Sequence, residues 1–256
     1  MIHIFSQGAL VIFVLVTLLW LYSIYLRNVS IVDVFWGLGF VIVNSIYFYY
    51  SENPSTRQLI VLVLVTIWGL RLSIYLGWRN WGKPEDYRYQ QFRKDYGPKR
   101  YWWLSYFQVF LLQGGLILIV SLPLFAINTK FSSLNALDYL AIAIWCIGFV
   151  FEAGGDYQLA KFKSRPENKG KVLSYGFWKY TRHPNYFGDA TVWLAYGLFC
   201  MASGSYWPIF GSIIMILLII KVSGVAMLER TLKVTKPEYK AYIEKTSAFI
   251  PWFPKK

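Results

Sequence analysis

The chain has 256 residues, of which 56% are hydrophobic, 20% aromatic and only 15% charged, with a mean hydropathy of +0.40. Soluble domains carry about 25% charged residues, so this composition excludes an ordinary water-soluble globule and points to a bilayer as the solvent. The net charge of +13 does not indicate nucleic acid, because the basic residues fall between apolar runs and not along one polar face; it suits anionic lipid headgroups and leaves positive loops for an anionic cofactor.

A spanning helix needs roughly 20 mainly apolar residues. In chain order, the runs that qualify are Gly8–Leu26, Ile31–Tyr50, Leu59–Trp78, Trp102–Ile127, Leu137–Leu159, Tyr186–Ala202 and Trp207–Leu228. Pro123 is placed to kink the far end of the fourth. A short surface helix is expected over Lys236–Lys245, with Pro237 in its first turn and Tyr239 and Tyr242 on one face. The first run has no basic leader and no small-residue cleavage site, so it reads as a span and not a signal peptide. No repeat or flexible linker interrupts the sequence. The expectation is one all-α integral membrane domain over 1–256 with about seven transmembrane helices.

Charge then sets orientation. The stretches Arg79–Arg100, Lys161–His183 and Leu228–Lys256 hold 21 of the 26 Lys and Arg residues. With seven spans all three fall on one side, which the positive-inside rule makes cytoplasmic, with the N-terminus outside. Cys146 and Cys200 both sit inside apolar runs, without a CxxC pair or a nearby His, and read as packing residues.

Charged groups inside a membrane helix are costly and usually have a partner or a task. Asp33, Arg71, Glu152, Asp156, Asp189, Lys221 and Glu229 lie within or at the ends of the runs. Glu152 and Asp156 share a helix face, as do Asn185 and Asp189. Structural ion pairs would account for any one of them; together they predict a polar cavity near the cytoplasmic ends. The segment KFKSRPENKGKVLSYGFWKYTRHPNYFG brings Lys163, Arg165, Lys169, Lys171 and Arg182 into one loop beside several aromatic rings. Basic side chains suit phosphate oxygens and rings suit a nucleotide base, although an ordinary positive-inside loop has the same composition. No GxGxxG or GxxxxGK[ST] occurs, no His or Cys cluster offers a metal site, and no GxSxG elbow is present.

The segments GKVLSYGFWKYTRHPNYFGD and EYKAYIEKTSAFIPWFP resemble the C-terminal region of the steroid 5-alpha-reductase family, closest to its bacterial branch. IVDVFWGLGF, WGLRLSIYLGWRNWGKPEDYRYQ and FEAGGDYQLAKFK extend the resemblance from about Ser30 to the end. It implies a seven-helix reductase, in a bacterial plasma membrane, that uses NADPH to reduce the double bond of a lipophilic enone, with membrane lipids around it and no obligate protein partner. By the same resemblance, Asp156 of GGDYQL matches the cofactor-binding Asp, and Glu152 replaces an Asn one turn earlier. Lys163 and Lys171 stand for two phosphate-binding arginines. Asn185 and Asp189 of PNYFGD match an Asn and an acid of the cofactor site, and Arg182, His183 and Tyr186 complete that set. At the substrate end, Asp33 is the acid nearest the family's Glu. Trp68 stands at the position of its Tyr, with Tyr75 about two turns on. The RHPNYFG element is also similar to isoprenylcysteine carboxyl methyltransferases, which use S-adenosylmethionine, and Glu229 would be a cofactor contact in that reading. A non-enzymatic lipid-binding protein is a third class left open.

Overall fold

The computed structural model describes residues 1–223, 225, 229 and 238–255. Among them every regular element is helical. The chain forms two compact units, one of Met1–Leu134 with Ser203–Pro208 and one of Asn135–Ala202 with Ile209–Lys256.

The N-terminal unit contains α1 (Ile2–Leu26), α2 (Ile31–Tyr49), α3 (Thr56–Asn80), α4 (Tyr87–Tyr96), α5 (Pro98–Val120) and α6 (Leu122–Asn128). No charged residue occurs in α1. It stops where Arg27 takes the left-handed conformation (φ 51°) and the Arg27 and Asn28 amides donate to the Ile24 and Ser23 carbonyls. Ser55 and Gln58 form a reciprocal cap at the start of α3. Beside it, the buried Arg57 donates to the Ser133 carbonyl at 2.8 Å and to Ser132. Helices α2 and α3 meet backbone to backbone: a methyl group on Gly37 would lie 2.5 Å from the Gly69 carbonyl oxygen. The expected fourth run is broken at Ser121, two residues before Pro123, and α5 carries a π-helical turn over Tyr106–Leu111.

The C-terminal unit contains α7 (Ala136–Lys163), α8 (Pro184–Ala202), α9 (Phe210–Leu217, running on as a π-helical turn over Leu218–Ser223) and α10 (Tyr239–Lys245). Asn135 caps α7 by accepting from the Leu137 amide at 3.0 Å, and Asp138 accepts from the Asn135 amide at 2.7 Å. Helices α7 and α8 cross at Gly148 and Gly188. A methyl group on Gly188 would lie 2.4 Å from the Gly148 carbonyl oxygen and 2.3 Å from the Glu152 nitrogen. Small residues let membrane helices approach this closely.

Helices α1, α2, α3, α5 and α7 are each long and apolar enough to cross a bilayer. Helix α8 has the length but a mixed composition, and the apolar helix over Trp207–Val222 is shorter. The paired face of Tyr239 and Tyr242 is present on α10, both rings buried and 5.8 Å apart. The expected end of the last run at Leu228, and Lys236 and Pro237, lie outside the described residues.

Gly188→Ala is expected to lower stability by about 1–3 kcal/mol through overpacking, read as a lower melting temperature in detergent. Gly115→Ala, where an added methyl group meets nothing within 4 Å, is expected to leave it unchanged or slightly raised.

Candidate functional site

The glycine crossing decides which side chains of α7 and α8 meet. Glu152, Asp156, Leu159 and Lys163 recur on one stripe of α7. A methyl group on Gly155 would come within 3.0 Å of the Asn185 nitrogen, and this proximity brings the Asn185 side chain to Asp156. The Asn185 Nδ2 donates to Asp156 Oδ1 at 3.0 Å. Its Oδ1 is buried and has no hydrogen-bond partner among the described residues. A buried acceptor left unsatisfied costs about 1–3 kcal/mol, so this oxygen is an acceptor still open to a donor. Glu152 and Asp156 are both buried.

At the end of the same stripe, a cavity of about 460 Å³ is lined by Leu159, Lys163, Arg165, Lys169 and Lys171, among others. A short turn at Pro166–Asn168 shapes it, and the Asn168 side chain donates through Nδ2 to the Phe162 carbonyl at 2.8 Å. Four cations therefore converge on one hollow. Lys163 and Lys171, expected from sequence, share it; Arg165 and Lys169 were legible only as members of a basic loop.

The segment Trp178–His183 enters α8. Trp178 Nε1 donates to the Gly155 carbonyl at 3.1 Å, and Pro184 then fixes the extended backbone of His183. The buried Arg182 places its Nε 2.8 Å from Glu229 Oε1, a charge contact and not an aligned hydrogen bond. Its Nη1 donates to the Ile243 carbonyl at 3.1 Å. His183 Nε2 lies 3.3 Å from the same Glu229 oxygen, and Tyr239 donates to it at 3.5 Å. Burial pushes the His183 pKa below its ordinary value, although Glu229 works the other way. The Tyr186 ring stands 5.9 Å from that of His183. Arg182 and His183 are thus bound to a clamp made by Glu229 and the C-terminal residues, and Asp189 follows one turn after Asn185 on α8.

The residues that the resemblance assigns to a substrate end, Asp33, Trp68 and Tyr75, lie in the N-terminal unit. Both oxygens of Asp33 are engaged: Arg88 Nη2 donates to Oδ2 at 2.8 Å and the Tyr89 hydroxyl to Oδ1 at 2.7 Å. Gln113 reaches the Tyr89 oxygen at 3.5 Å. Burial and the Asp33 carboxylate hold the Tyr89 phenol well above its ordinary pKa, so it keeps its proton. Asp86 accepts from Arg88 Nε at 2.9 Å; burial works to raise its pKa, but the Arg88 hydrogen bonds prevail and lower it. Glu85 takes a two-pronged contact from Arg93 at 2.9 and 3.1 Å and accepts from the Val29 amide at 2.8 Å. Trp68 is fully buried against Phe40, 5.8 Å between ring centres. Tyr75 stacks under Arg71 and Arg79 at 5.3 and 5.8 Å. Tyr89, Arg88, Glu85 and Asp86 were missed by sequence reasoning. Their only signal was the dense charge in KPEDYRYQQFR.

Long apolar helices with acids buried between them define an integral membrane protein of the all-α class. The chain belongs to the family described as a protein of unknown function (DUF1295), whose model matches residues 19–246. It is 26% identical, over 279 aligned positions, to an uncharacterized protein of Schizosaccharomyces pombe; the alignment covers 96% of this chain and 79% of that protein. No solved structure matches the chain.

A His whose pKa is lowered on folding contributes full stability above its unfolded pKa, near 6.5, and loses it as pH falls below that value. The melting temperature is therefore expected to fall between about pH 6.5 and pH 5, and His183→Gln to show a smaller fall over the same range.

Proposed function

We propose that the protein is an NADPH-dependent membrane reductase of a carbon–carbon double bond in a lipophilic, sterol- or isoprenoid-like enone. We further propose that α8 and the apolar helix after it complete seven spans, with the N-terminus outside and the three basic regions at the cytoplasmic surface. The observation that carries the reading is the α7 stripe, which leads from the Asp156–Asn185 pair to a hollow lined by four cations. The resemblance to steroid 5-alpha-reductases supports it at the same residues.

The residues fit a phosphate-rich dinucleotide. Arg165 offers a planar fork, and Lys163, Lys169 and Lys171 offer point charges for phosphate oxygens. Asp156 holds the Asn185 amide by its Nδ2, which leaves Oδ1 to accept from an N–H donor such as a carboxamide. When bound, the reduced cofactor supplies hydride to the β carbon of the enone. In the N-terminal unit the Tyr89 phenol keeps its proton and donates a hydrogen bond to Asp33, which also pairs with Arg88. Asp33 lies on α2 and Tyr89 on α4, while Trp68 and Tyr75, the other residues that the resemblance assigns to the substrate end, lie on α3. A lipophilic substrate would enter from the bilayer and the cofactor from the cytoplasm.

Methyl transfer from S-adenosylmethionine is the alternative, and the buried Arg182–His183–Glu229 cluster is what favours it. The sulfonium of that cofactor is positive and carries no phosphate, so a four-cation hollow suits it poorly.

Purified protein is expected to quench or shift NADPH fluorescence on binding. Asp156→Ala should abolish the signal, and Lys171→Glu should weaken affinity about tenfold or more, as loss of a charge-assisted contact does. Tyr89→Phe should keep cofactor binding and lower the melting temperature, because it removes the hydroxyl that donates to Asp33. Binding of S-adenosylmethionine with none of NADPH would overturn the reductase reading.

A further inference from the structure

Residues 247–255 present three large apolar side chains to the outside: Ile250 is 67% exposed, Trp252 71% and Phe253 76%. The backbone beneath them is firmly held. The Ser247 carbonyl accepts from the Arg182 amide at 2.9 Å and the Phe249 carbonyl from the Thr181 hydroxyl at 2.8 Å. The Trp252 amide donates to the Tyr180 carbonyl and the Lys255 amide to the Lys245 carbonyl, both at 2.9 Å. Phe249 turns inward, its ring 6.0 Å from Phe187, while Phe253 meets the edge of Tyr180 at 6.1 Å.

A segment pinned by its backbone and displaying apolar rings outward is shaped for a partner. Its chemistry is that of the membrane interface. Aromatic side chains gather at headgroup depth, and lysines beside them attract anionic lipid. Lys179, Lys245 and Lys255 are exposed here, and no acidic residue occurs from Thr246 to Lys255. A second copy of the chain fits less well, because like charges would face one another across a symmetric contact.

We propose that residues 247–255 lie flat in the headgroup region of an anionic leaflet, with Ile250, Trp252 and Phe253 among the upper acyl carbons and the three lysines on lipid phosphates. The same segment holds Tyr180–His183 by its backbone, so the bilayer surface supports the entry to α8.

A nitroxide at Phe253→Cys, in a Cys146→Ser background with the buried Cys200 retained, tests this in reconstituted vesicles. In phosphatidylglycerol vesicles the label should be more accessible to oxygen than to a water-soluble nickel chelate, whereas a control label at Glu167→Cys should show the reverse. The preference should weaken in pure phosphatidylcholine and in a Lys179→Glu, Lys255→Glu double variant. A label at Trp252→Cys gives the same reading at a second position. Nickel access equal to the control at both positions would overturn the proposal. Shielding from both reagents would also overturn it, because it would mean a protein covers the patch. Equal depth in the two lipids would remove the role of the lysines.

Discussion

The contact of α7 and α8 at Gly148 and Gly188 is the constraint on which the rest of the C-terminal unit depends. With no side chain between them, the two backbones approach until a methyl group added at Gly188 would fall 2.3 Å from the Glu152 nitrogen. A larger residue at either position would part the helices. The Asn185 amide would then lose Asp156, and Trp178 its bond to the Gly155 carbonyl. Close packing of this kind converts a sequence with scattered acids into a pocket wall with a fixed polar pair.

The entry to α8 is held from outside by a different device. Arg182 and His183 do not face a ligand as bare cations; they are gathered on Glu229, with Tyr239 and the Ile243 carbonyl completing the set. Tyr242 donates to the Trp178 carbonyl, and Thr181 is tied to Phe249. The C-terminal residues therefore act as a strap over the RHP element. In the N-terminal unit the strap is made of polar contacts: Glu85 accepts from the Val29 amide and the Asp86 amide donates to Ser30 Oγ, which holds the turn before α2, while Arg88 and Tyr89 close on Asp33.

Apolar helices were legible because the bilayer demands long uninterrupted runs, and five of the expected runs correspond to helices that meet that demand. The break at Ser121 was foreseeable from Pro123, though its position was not, because a proline disturbs the turn before it. In the site, the shared face of Glu152 and Asp156 followed from helical spacing, and the pairing of Asp156 with Asn185 was expected only as one shared cofactor region through resemblance. Partners separated by long stretches of chain were not legible. Nothing in the local pattern says that Tyr89 reaches Asp33, that Glu229 collects Arg182 and His183, or that residues 247–255 lie along Tyr180–His183. Such contacts depend on tertiary packing, which periodicity does not report.

The α7 stripe is the proposed dinucleotide site, and a structure determined by electron cryomicroscopy with NADPH present tests it most directly. Ligand density is expected to run from the Asp156–Asn185 pair to the hollow formed by Lys163, Arg165, Lys169 and Lys171, with the phosphates at the basic end. Density for the cofactor elsewhere, or an empty stripe at saturating NADPH, would contradict it.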